Sequence, residues 1–256
     1  MKNFTLRIVV VALLMTLARY GVAKPVPQEI KAAMGSMTVA ELEAAGDAAK
    51  MQKDYGLATR YFEAALRKDK NNGALYNKLG LTELQNNNLR AARMDFDKAA
   101  KRNPKSAEAV NNIGAVEYMN KNYSSAAKYF KKAVALDETR ATFHVNLGAS
   151  WFNQGNLDRA LAEYTRALEL DPEALDQHSR TGVMAQVTTM EEQARYSYML
   201  AKIYARRGDL ENALRCLKKA KEEGYRNLAS VYKEEDFTKM WQDPKLHEVV
   251  TPPVSK

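Results

Sequence analysis

The chain has 256 residues and a formal net charge of +8 at pH 7, with 46% hydrophobic residues, 9% aromatic residues and a single cysteine. This apolar content excludes a disordered chain and supplies core for one or two domains. One cysteine, Cys216, excludes an internal disulfide and is expected to be a buried core residue; with only twelve Gly and seven Pro, the composition leans toward helices.

Residues 1–23 read as an export signal. Lys2 and Arg7 form a basic lead, Ile8 to Ala18 is an eleven-residue apolar run broken only by Thr16, and Gly21-Val22-Ala23 places small residues at a cleavage site. The run is closed by Arg19 and falls well short of the roughly 20 residues that span a bilayer, which counts against an uncleaved anchor. Cleavage is expected after Ala23, giving a periplasmic or secreted protein; membrane contact, if any, is expected only through an N-terminus left uncleaved. Loss of Lys2, Arg7 and Arg19 lowers the charge from +8 to +5. Residues 24–38 form a linker with a short leading helix, and Thr38 with Glu41 makes a capping box.

From Val39 a 34-residue period begins. Residues 39–72 carry Leu42, Ala45, Gly46, Ala58, Phe62 and Ala65, and residues 73–106 carry Tyr76, Leu79, Gly80, Ala92, Phe96, Ala99 and Pro104. The next two units, 107–140 and 141–174, repeat the pattern with Val110, Ile113, Gly114, Ala126, Phe130 and Ala133, then His144, Leu147, Gly148, Trp151, Ala160, Tyr164, Ala167 and Pro172. After an insert at 175–193, with overlapping capping boxes at Thr188 to Glu192, residues 194–227 return to register through Leu200, Ala201, Tyr204, Gly208, Ala213, Leu217 and Ala220. Apolar residues three and four apart, broken by Gly155-Asn156, specify a helical hairpin. Glycine and alanine mark where helices approach most closely.

This pattern resembles the tetratricopeptide repeat almost position for position. The resemblance implies an all-α, right-handed superhelical solenoid of about five hairpins, whose concave face is lined by the first helix of each hairpin and binds protein segments. Residues 228–250 supply three apolar trios suited to cap the open end of such an array, and 251–256 form a tail.

No phosphate loop, nucleophile elbow or metal-spaced histidine pair occurs among His144, His178 and His247. Neither an enzyme nor a cofactor is therefore expected, and His144 reads as a packed core imidazole. Basic residues crowd the second helices without an aromatic platform, so nucleic acid is not an expected partner.

Projecting the first-helix positions inward as the fold implies gives Asn77, Asn112, Tyr118, Asn146, Phe152, Asn153, Lys202 and Arg206 as the candidate groove. Asn112 and Asn146 resemble two rungs of the asparagine ladder of O-linked N-acetylglucosamine transferases, which implies bonding to a peptide backbone; asparagine tolerated at that position stays an equal alternative. Glu43 and Asp47 stand where a carboxylate clamp would need Lys and Asn, so that mode is not expected. The insert is either a plain loop or a flap, Val183 to Val187, over the groove. The expected role is a non-enzymatic scaffold of the cell envelope holding an extended peptide. The alternatives are an enzyme or regulatory subunit with a site near the insert, and a structural spacer.

Overall fold

A computed structural model describes residues 33–175 and 189–252. The expected leader, most of the linker, the central part of the insert and the end of the tail lie outside the described residues. Every regular element among the described residues is helical. They form two compact units, one running to Asn122 with Ala135–Asp137, the other comprising Tyr123–Val134 and Glu138 onward.

In the first unit a helical turn ending at Ser36 precedes α1 (Val39–Met51), α2 (Tyr55–Lys68), α3 (Gly73–Gln85), α4 (Leu89–Arg102) and α5 (Ala107–Met119). The second holds most of α6 (Tyr123–Leu136), then α7 (Ala141–Asn153), α8 (Leu157–Leu170), α9 (Met190–Arg207) and α10 (Leu210–Glu222). Two 3-10 helices, Leu228–Tyr232 and Glu235–Met240, and α11 (Pro244–Val249) close the chain. The first two apolar trios of this end segment thus wind as 3-10 helix, with Val231, Phe237, Met240 and Leu246 fully buried.

Each hairpin turns the same way because the backbone groups at its helix ends are satisfied the same way. The fifteenth residue of every repeat is left-handed: Lys53 (φ 61), Asn87 (φ 59), Lys121 (φ 62), Gly155 (φ 76) and Gly208 (φ 78). The N–H of the next residue then returns to the carbonyl five back, as in Asn88 N to Glu83 O (2.8 Å) and Asn156 N to Trp151 O (2.9 Å). That next residue is always Asp or Asn. At Asp54, Asn88, Asn156 and Asp209 its side chain caps the second helix by accepting from the N–H three residues on.

Inside the first, second and fourth hairpins an aromatic ring fills the space left by a glycine. A Cβ on Gly46 or Gly80 would stand 2.6 Å from the ring of Phe62 or Phe96, and one on Gly148 would stand 3.0 Å from Tyr164. All three rings are fully buried. Each such side chain contributes about 1.5–3 kcal/mol of apolar burial. In the fifth repeat Ala201 and Leu217 stand at these two positions, and both are fully buried. The capping boxes at Thr38–Glu41 and Thr189–Glu192 are both formed.

Candidate functional site

The first helices of the first three repeats bond to one another through a constant register. In the first unit the sixth residue of one repeat reaches the fifth of the repeat before. Lys78 Nζ lies 2.8 Å from Glu43 and 2.5 Å from Asp47. One repeat on, Asn112 Nδ2 donates to Asn77 Oδ1 at 2.9 Å, while Asn111 Nδ2 reaches Asn112 Oδ1 at 3.4 Å. Both Asn77 and Asn112 are half-buried. Burial of Lys78 favours its neutral form, but its bonds to Asp47 and Glu43 outweigh that and hold its pKa above the ordinary lysine value.

A second rung joins the eleventh residue of one repeat to the twenty-first of the repeat before. Thr59 Oγ1 donates to Glu83 (3.0 Å), and Arg93 pairs with Glu117. Glu83 is 8% exposed, so its carboxylate needs that donor.

The other candidate residues are distributed unevenly. Tyr118 is fully buried and Asn146 is 1% exposed. The structure thus places both in the interior, where their side chains present no surface to a ligand. Phe152 is also buried and meets Tyr196 edge-on, with centroids 5.4 Å apart. Asn153 is half-buried and donates to the Ala149 carbonyl within its own helix, at 2.9 Å.

Lys202 and Arg206 do not stand as free cations. Lys202 Nζ lies 2.7 Å from Glu234 and 3.2 Å from Asp236, and Arg206 pairs with Asp236. Burial works against the Lys202 charge, yet the two carboxylates raise its pKa. Burial likewise opposes the Glu234 charge, and Lys202, Ser230 and Tyr198 together lower its pKa. Tyr198 Oη completes the network, 2.7 Å from Ser230 Oγ and donating to Glu234 at 2.9 Å. Sequence reading missed these acidic partners because they lie beyond the last repeat, where the period no longer indicates what faces what.

His144 is buried, with Nδ1 2.8 Å from Glu163 and Nε2 3.1 Å from the Glu138 carbonyl. Cys216 is also buried, which pushes its thiol up to about 11 and leaves little nucleophilic thiolate at neutral pH. Among the described residues no group of three or more His, Cys, Asp or Glu side chains could hold a metal ion, and no helix is long and apolar enough to cross a membrane.

Three family models, each described as a tetratricopeptide repeat, match residues 77–141, 141–174 and 194–223, together half of the chain. The chain is a tetratricopeptide repeat (TPR) protein. No curated protein matches its sequence. Among solved structures, this TPR protein is similar to a MamA fragment from Desulfovibrio magneticus RS-1, with 20% identity, a TM-score of 0.53, and coverage of 73% of this chain and 95% of that one. It is also similar to YrrB, described as a TPR protein with an unusual peptide-binding site, with 19% identity, a TM-score of 0.50, and coverage of 83% and 98%. These likenesses are of fold. TPR proteins generally bind other proteins or peptides, and the family is generally non-enzymatic.

Proposed function

We propose that this protein is a non-enzymatic scaffold that is exported by a leader ending at Ala23 and holds an extended segment of another cell-envelope protein against its first helices. The Asn77–Asn112 pair carries this reading. Each carboxamide has donors and an acceptor, and the bond between the two fixes how they are presented. Asn112 keeps a second Nδ2 proton, and Asn77 keeps both of its own, with no partner for them among the described residues. A half-buried amide pair of this kind can bond a backbone peptide unit whatever side chain follows, which suits an extended segment. The description of YrrB as having a peptide-binding site supports the same mode on a similar fold.

Purification of the tagged protein from envelope extracts tests the reading. A stoichiometric protein partner is expected with the native chain and is expected to be lost with Asn77→Ala plus Asn112→Ala at unchanged helix content, the recovered chain beginning at Lys24. Retention of the partner by the double variant, or turnover of a substrate by the isolated chain, would contradict the reading.

A further inference from the structure

In the second unit, α8, α9 and the turn after α10 surround a cavity of about 450 Å³. Its floor is apolar: Leu161, Met199 and the stacked rings of Tyr198 and Tyr225, whose centroids lie 4.2 Å apart at 16°. Two exposed cations, Arg195 and Arg226, also line it. Gly224, left-handed at φ +85, ends α10 and turns the chain so that Tyr225 meets Tyr198 and Arg226 enters the wall.

The remaining charges of the lining already have internal roles. Asp158 and Glu191 lie in the first turns of α8 and α9, where carboxylates complement the helix dipole. Lys202 and Glu234 neutralise one another. Arg195 and Arg226 have no ion pair or hydrogen bond among the described residues.

The ligand chemistry these arginines await is illustrated by the molecule itself. Arg195, Tyr198, Lys202 and Arg206 recur at three- and four-residue spacing along one stripe of α9. Glu234 and Asp236, two residues apart on one chain segment, bond to the last three of them. That acidic segment stops short of Arg195, the end of the stripe that opens into the cavity.

We propose that this cavity binds an acidic residue of the partner's extended segment, its carboxylate between Arg195 and Arg226 and an adjoining apolar side chain on the Tyr198–Tyr225 floor. The inference rests on the peptide-binding reading above and adds the charge of the peptide. Paired guanidinium donors suit a carboxylate, whose two oxygens accept in one plane.

The test uses two pools of short labelled peptides, alike in apolar residues and differing only in whether the central positions carry Asp and Glu or Asn and Gln. Anisotropy is expected to show the acidic pool binding at least about tenfold more tightly, with the preference falling as salt rises. The variant Arg195→Gln with Arg226→Gln, two exposed sites whose loss leaves the fold intact by circular dichroism, is expected to erase that preference, while Arg90→Gln with Lys101→Gln leaves it unchanged. Equal binding of both pools, or an acidic preference that survives the arginine variant, would overturn this inference and leave the scaffold reading standing. Binding of neither pool would overturn both.

Discussion

At the scale of single residues, His144 has the clearest dependence on conditions. Both ring nitrogens face acceptors, and only the imidazolium can donate to the Glu163 carboxylate and the Glu138 carbonyl together. The bond to Glu163 raises its pKa above the ordinary histidine value, outweighing burial and the neighbouring Arg166. Because the folded value is the raised one, the stabilisation is complete below the unfolded value of about 6.5 and fades as pH rises through the folded value. In urea unfolding the native protein is therefore expected to lose stability, relative to a His144→Phe variant whose ring does not titrate, as pH rises above about 6.5 and through the raised folded value. Equal pH dependence in the two proteins would show that the imidazole is an uncharged packing residue.

At the scale of helices, the glycine at the eighth position of a repeat and the aromatic ring at the twenty-fourth determine how closely the two helices pack. Adding a methyl group at Gly80 brings it to 2.6 Å from a fully buried Phe96 ring, so the ring or the helix must move. Gly80→Ala is expected to cost roughly 1–3 kcal/mol in denaturant unfolding, as overpacked cores do. Phe96→Leu in that background is expected to recover part of the loss, because the fifth repeat pairs Ala201 with Leu217 at the same two positions. Costs that simply add in the double variant would contradict the coupling. The turns were only partly legible in the sequence. Gly155 and Gly208 announce a left-handed residue, whereas Lys53, Asn87 and Lys121 adopt the same conformation because the repeat register imposes it, at a backbone cost greater for the two lysines than for Asn87.

At the scale of the whole molecule, the fold was readable because every repeat carries its own packing instructions in small and aromatic residues at fixed spacing, a local signal that survives without coordinates. The site was less readable because the availability of a polar group depends on a neighbour about one repeat away. Asn112 finds Asn77 and Lys78 finds Glu43 at the same offset, a rule that emerges only once the register is known. Lys202 and Arg206 were expected to face a ligand and are instead held by Glu234 and Asp236, from a closing segment outside the period. Asn146 stands at the same repeat position as the half-buried Asn112 yet lies in the interior, and Tyr118 is fully buried. The account turns on recognition of peptide backbone by the Asn77–Asn112 pair, and backbone methylation addresses that most directly. Once the bound segment is known, its affinity is measured as a synthetic peptide and as the same peptide with its central backbone nitrogens methylated. A loss of about tenfold or more that disappears in the Asn77→Ala, Asn112→Ala variant is the expected result, and equal affinity of the two peptides for the native protein would contradict it.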